Sequence, residues 1–278
     1  MTGKTMTKVE AEPQGVAAFD PELAKLYASM AGSNEGLENI GREDTALPFL
    51  KVLQGLSPEV TRGSDKFIRE AQTGMFINSL TGELWDGEAG IEVIRVYFDK
   101  KFIEWKPRKS GGGLVRISAT AEEGAAHKVK DIGNEDVDTT VDETHQVYCL
   151  VRGKYGLYPV LFSAARTKLT FVRKWNAVAM GLRFGEFAAT DPTAAKLPPD
   201  ATPKSFAVVY TIGTVGTVKN GNSYFSPVIK AKRLARPDEL KAAMDFAEIV
   251  KQGAVKVEYK SSSEDADAVP GAGVEGAV

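Results

Sequence analysis

The chain has little to offer soft-metal or imidazole chemistry: one cysteine, Cys149, and two histidines, His127 and His145, in 278 residues. A lone cysteine excludes an internal disulfide framework and any multi-cysteine zinc or iron–sulfur centre. Long apolar runs are missing too. No stretch approaches the roughly 18 consecutive apolar residues of a membrane helix, and the opening MTGKTMTKVEAEPQGVAAFD lacks the apolar core of a signal peptide. Cofactor fingerprints occur only out of context. Gly271-x-Gly273-x-x-Gly276 matches the dinucleotide pattern with no strand before it and no helix after it, and Gly3-Lys4-Thr5 ends like a phosphate loop without the upstream glycine. The expectation is a cytoplasmic protein with no cofactor, no metal and no membrane partner.

An excess of one charge sign is absent as well, 35 Lys+Arg standing against 37 Asp+Glu for a net charge of -2. As an average this argues against a nucleic-acid partner; segment by segment it does not. Thr144 to Gly185 holds seven bases and no acid, Ile91 to Ile117 seven bases and three acids, and Lys204 to Arg233 five bases and no acid. Opposing them, Ser118 to Thr144 carries eight acids and two lysines, and the tail from Glu258 onward five acids and one lysine.

What is present reads mostly as strands. Phe76–Leu80 and Leu84-Trp85 flank the turn signal Thr81-Gly82-Glu83, and Ile91 to Trp105 alternates apolar and polar residues. Gln146 to Val151 with Tyr158 to Phe162, and Phe206 to Ile212 with Tyr224 to Ala231, form two more pairs. Asn220-Gly221 suits a type I′ turn in the last of them. Two helices stand out. Arg166 to Phe184 carries the stripe Leu169, Val172, Trp175, Ala179, Leu182; Pro237 to Gln252 is capped by Pro-Asp-Glu and Gly253, with the stripe Leu240, Met244, Ala247, Val250. A short helix is predicted from Pro21, capped by Asp20, to Met30. The predicted architecture is mainly β (α+β): an OB-like β-barrel with appended helices and a disordered acidic C-terminal tail. Its parts are a flexible segment 1–43, a nucleic-acid-binding domain 44–257 with a solvated or disordered acidic insert 118–144, and the tail 258–278.

Basic stretches are usually solvated faces, but these are interleaved with aromatics. Cations track a phosphate backbone while aromatic faces stack unpaired bases, largely regardless of sequence. Trp175, on a helical stripe, reads as core; Trp105 and Tyr155, beside Gly/Lys/Arg turns, fit core and stacking equally. The loop Trp105-Lys-Pro-Arg-Lys-Ser-Gly-Gly-Gly113 could clamp a backbone or merely connect a hairpin. Cys149, inside an apolar strand pattern, reads as core rather than nucleophile. The carboxylates from Glu122 to Glu143 read as a solvated or disordered insert, and nothing in the sequence favours the convergence from ordered elements that a two-metal nuclease needs.

Several motifs together resemble a tailed-phage family of single-stranded-DNA-binding proteins. They are Asp44-Thr-Ala-Leu-Pro-Phe-Leu-Lys-Val-Leu-Gln-Gly-Leu-Ser-Pro-Glu-Val60, Gly74-Met-Phe-Ile77, Glu104-Trp-x-Pro-Arg108 with Gly111-Gly-Gly113, and Arg166-Thr-Lys-Leu169 followed by Lys174-Trp-Asn176. The resemblance implies an OB-like barrel that coats single-stranded DNA in phage replication or recombination, in the host cytoplasm. It also implies an acidic tail contacting phage or host replication proteins, although here the tail acids Glu264, Asp265, Asp267 and Glu275 are followed by Gly-Ala-Val with no terminal aromatic. The resulting expectation is a non-enzymatic binder. Lys101, Lys106, Arg108, Lys109, Arg152, Lys154, Lys230 and Lys232 would neutralise phosphates, Trp105 and Tyr155 would stack bases, and Arg166, Arg173 and Lys174 would form a cationic helix face. A homo-oligomer stays open. The alternatives are a metal-dependent phage nuclease or recombination enzyme, and a protein-binding or virion component.

Overall fold

A computed structural model of the chain describes residues 21–30, 46–107, 112–123, 128–130, 136–219, 221–257 and 259. The chain divides into two units, Met1–Gly41 and Arg42–Val278. In the first, helix α1 (Pro21–Met30) starts on its proline, as predicted; Leu26 and Tyr27 are exposed. The proposed cap Asp20, and the tail 260–278, lie outside the described residues.

In the second unit, β1 (Leu50–Val52), β2 (Phe76–Asn78) and β3 (Leu84–Trp85) make a small antiparallel sheet. The main sheet is built from β4 (Ile91–Trp105), β5 (Leu114–Ser118), β8 (Thr140–Gly153), β9 (Gly156–Ala165), β10 (Val208–Lys219) and β11 (Asn222–Leu234). Its order is β11-β10-β4-β8-β9, with β5 on the far half of β4. The strands are longer than the apolar runs that announced them. β10 meets β4 only over Val209 to Ile212, so the β10–β11 hairpin projects beyond the sheet. In the acidic stretch 118–144, β6 (Lys128–Lys130) pairs with β7 (Asp136–Asp138) and β8 already begins at Thr140, so that stretch is partly strand rather than a structureless insert.

Both faces of the sheet are covered, which explains why Val147 to Val151 of the central strand β8 reads as an unbroken apolar run. On one face Val93, Val147, Cys149, Val160, Phe162 and Tyr210 pack beneath α2 (Leu169–Gly181) through Phe171, Val172, Trp175 and Ala179. Trp175 and Cys149 are both fully buried, as their patterns implied. On the other face Ile94, Val96, Tyr148, Leu150, Leu161 and Val209 pack beneath α3 (Pro237–Lys251). Here the predicted stripe is corrected. α3 buries Glu239, Ala243, Phe246 and Ala247, while Met244 is 51% exposed. The helix rolls toward Phe246, its largest apolar side chain, and toward a buried carboxylate that no hydrophobic pattern anticipates.

Among the described residues the main sheet does not close into the predicted barrel. The free edge of β9 takes Phe49 in a parallel bridge, with Leu161 N–H donating to Pro48 C=O at 2.8 Å. The outer edge of β11 is met instead by a side chain: the Gln54 amide accepts from Phe225 N–H at 2.9 Å and donates to Phe225 C=O at 2.8 Å. Pro227, two residues on, has no N–H to extend that edge. Thr214 ties the projecting hairpin to the loops around the small sheet, through Gly87 C=O at 2.7 Å and Gly74 C=O at 2.6 Å. An added Cβ at Gly87 would sit 1.9 Å from the Gly74 oxygen, so this close approach requires glycine.

Candidate nucleic-acid interface

The basic residues fall at two ends of β8. Asp142 and Arg152 are ten positions apart on this strand, which places its ends about 33 Å from each other. At the Arg152 end, three cations converge on two carboxylates. Glu239, 1% exposed at the first turn of α3, accepts from Arg233 at 2.6 and 2.9 Å, from Arg236 N–H at 2.8 Å, and from Arg152. Glu92 of β4 accepts from Arg233 at 2.9 Å and from Lys232 at 2.9 Å. Burial alone would push the Glu239 carboxyl up; the hydrogen bonds from Arg233, the Arg236 backbone and Arg152 outweigh it and hold the group down at about 2. Burial raises Glu92 likewise, and its bonds to Lys232 and Arg233 turn the net shift downward.

Register explains how distant residues meet. Lys230, Thr211 and Glu92 lie on one row across β11, β10 and β4, and Arg152 reaches Glu92 from β8. With strands about 4.8 Å apart, Lys230 and Arg152 stand roughly 14 Å from each other. A β-bulge pairs Val209 with Arg233 and Tyr210 with Ala231, so Lys232 is the extra residue and its side chain stands out from the ladder. Lys230 and Lys232 border a shallow, open depression floored by Gly90, Thr211 and Gly213 and rimmed by Val228.

The β8–β9 turn lies at this same end. Tyr155 is 81% exposed, with Lys154 Nζ 5.1 Å from its ring centroid. Its presentation is braced from two sides: Lys154 N–H donates to Glu83 at 2.8 Å and Tyr155 N–H to the Tyr158 hydroxyl at 3.1 Å. Gly153 leaves room for both braces, since a Cβ there would lie 2.3 Å from the Tyr158 ring and 2.8 Å from Glu83. Lys154 and Lys230 form no ion pair among the described residues.

At the opposite end the predicted cations are mostly matched. Arg166 bonds Asp142 at 2.9 Å, Arg173 lies 3.6 Å from Glu143, and Lys101 lies 2.9 Å from Asp99. The His145 hydrogen bond is the main cause that keeps the Glu143 carboxyl below its ordinary range. Lys174 is exposed on α2, and Lys106 continues β4 with its N–H on Gly113 C=O at 2.9 Å. Trp105 corrects the stacking expectation: it is 7% exposed, packed within the arm formed by β4, β5 and β8, and offers no face to a base. Arg108 and Lys109 lie outside the described residues. The structure thus groups Arg152, Lys154, Tyr155, Lys230 and Lys232, and sets Lys101, Lys106, Arg166, Arg173 and Lys174 apart from them. Sequence reasoning missed Arg233, Glu92 and Glu239. The capping Pro-Asp-Glu after a basic run was the one available signal for Glu239.

Among the described residues no group of three His, Cys, Asp or Glu is placed to hold a metal ion, and no helix is long and apolar enough to cross a membrane. The family described as Pam3 phage gp34-like protein matches residues 16–256. No curated protein and no solved structure matches the chain.

Proposed function

We propose a function for a chain that belongs to the Pam3 phage gp34-like protein family: sequence-independent binding of single-stranded DNA, without catalysis, in the replication or recombination of phage DNA. The observation that carries this reading is Tyr155, a large aromatic ring held almost fully in solvent by Glu83 and Tyr158, with Lys154 beside it and Lys230 and Lys232 on the adjoining sheet face. An exposed ring next to Lys154 and Lys230, which form no ion pair among the described residues, and to Lys232, which shares Glu92 with Arg233, suits a strand whose bases stack while its phosphates are neutralised. Five cations at this end, Arg152, Lys154, Lys230, Lys232 and Arg233, face four carboxylates, Glu83, Glu88, Glu92 and Glu239, and of the five Lys154 and Lys230 form no ion pair among the described residues, which leaves them for a polyanion. In this reading the unclosed sheet plays the part of an OB-like barrel, and the cations near Arg173 serve the far end of a longer strand.

The test is a fluorescence-anisotropy titration of labelled oligo-dT at several salt concentrations. Neutralising about 4–6 phosphates predicts a slope of log K against log salt of about -3 to -4. An affinity that barely changes with salt, or that equals the affinity for duplex DNA, would overturn the proposal. Metal-dependent shortening of the oligonucleotide would point to a nuclease instead.

A further inference from the structure

Arg95 of β4 differs from every cation above. It is 8% exposed, beneath α2, and no carboxylate among the described residues pairs with it. One guanidinium N–H reaches Asn176 Oδ1 at 2.5 Å. The rest of the group lies against rings, its Cζ 5.4 Å from the centroid of Phe98 and 5.9 Å from that of Trp175. Arg95 Nε–H, Trp175 Nε1–H and the Tyr210 hydroxyl are all buried and none has a hydrogen-bond partner. They belong to one neighbourhood: Tyr210 pairs with Val93, two residues before Arg95 on the same strand face, and the Trp175 and Tyr210 rings meet edge-on at 5.6 Å.

The chemistry of this seam is one-sided. A guanidinium does not deprotonate in a protein, so the charge stays. Ring quadrupoles attract it but supply no acceptor for an N–H. The nearby titratable groups bring no negative charge either. Burial pushes the Cys149 thiol up and the Tyr210 hydroxyl up to about 12, and Arg95 opposes each shift only in part. Asn176 Oδ1 takes one guanidinium N–H, but Arg95 Nε–H, Trp175 Nε1–H and the Tyr210 hydroxyl stay unbonded beside a fixed positive charge, an arrangement that suits a small anion.

We propose that Arg95, Trp175 and Tyr210 form a small-anion site in the seam between the main sheet and α2, where a chloride or an inorganic phosphate serves as the counter-ion of Arg95. The site uses none of the residues assigned to DNA, so it stands or falls independently of that reading.

Thermal unfolding of the full chain tests it at constant ionic strength, replacing sodium gluconate, whose anion is larger than either candidate, by chloride in one series and by phosphate in another. The expected result is a saturable rise in melting temperature with one of the two small anions, which also identifies it. Arg95→Met, close in length and uncharged, should abolish the dependence. Tyr210→Phe deletes only the hydroxyl and should raise the apparent Kd about ten-fold or more; it decides the matter if Arg95→Met does not fold. No dependence in the wild-type chain would overturn the proposal, as would equal dependence in wild type and Tyr210→Phe, which would mean adventitious surface ions only.

Discussion

Replacing Glu239 by glutamine tests whether the carboxylate under α3 pins that helix to the sheet. Shape is nearly kept, and the Arg236 N–H can still find an oxygen. Arg152 and Arg233 then face a neutral amide in place of the carboxylate they both bond. Breaking a buried pair costs about 3–5 kcal/mol. Arg152 and Arg233 keep 40% and 23% of their side chains in solvent, which favours the lower end of that range. Linkage gives a matching figure. A carboxyl near 4.5 when unfolded and about 2 when folded contributes roughly 3 kcal/mol at neutral pH. The sign follows from the depressed folded value: this stability is present above pH 4.5 and is lost as pH falls toward 2. Urea unfolding at pH 7 should therefore show Glu239→Gln about 3 kcal/mol less stable, a drop of roughly 6–12 °C in melting temperature. Between pH 5 and 3 the variant should lose less stability than the wild type, because it lacks the group that takes up the proton. A loss below about 1 kcal/mol at pH 7, or parallel pH curves, would refute the pinning.

Tyr155→Ala should weaken oligo-dT binding by the worth of one stacked base, about 1–3 kcal/mol or roughly 5- to 150-fold, and leave the melting temperature unchanged because the ring is 81% exposed. Trp105→Ala should do the reverse, destabilising the fold by about 3–5 kcal/mol, with any DNA defect following the unfolded fraction in a matched denaturation curve. Lys230→Ala should flatten the salt dependence of oligo-dT binding by about 0.7 in the log–log slope. Lys174→Ala, at the far end, should leave binding of a short oligonucleotide unchanged, so equal effects of the two would argue against the Tyr155 end as the primary contact.

Much of the local structure was legible because periodicity is a local property. Ile91 to Trp105 alternates as a strand does and is β4; Pro237-Asp-Glu opens a helix and does so one residue after Arg236. The stripe of α2 held because its apolar residues outnumber the competing faces. The stripe of α3 held in part: Ala247 is buried and Val250 packs on the same core, but Met244 is exposed, because the buried face also contains Glu239, which counts as polar in any pattern and is held inward by Arg152 and Arg233 of other strands and by the Arg236 N–H. Trp105 misled for the opposite reason. Its neighbours Lys106, Pro107 and Arg108 suggest a solvent-exposed loop, while its ring is enclosed by strands paired from elsewhere in the chain.

The sequence alone determined the mainly β arrangement with helices after β9 and β11, and the partition of charge into basic and acidic stretches. Each of these depends on residues adjacent along the chain. Only the tertiary structure decided which of the basic residues remain unmatched. Arg152 meets a carboxylate 87 positions away and Arg233 one 141 positions away, while Lys154 and Lys230, in equally basic stretches, have none among the described residues. Coulomb attraction between exposed charges is screened beyond about 10 Å at ordinary salt, so a charge is matched or left free by which strands lie side by side, and strand pairing is a long-range outcome.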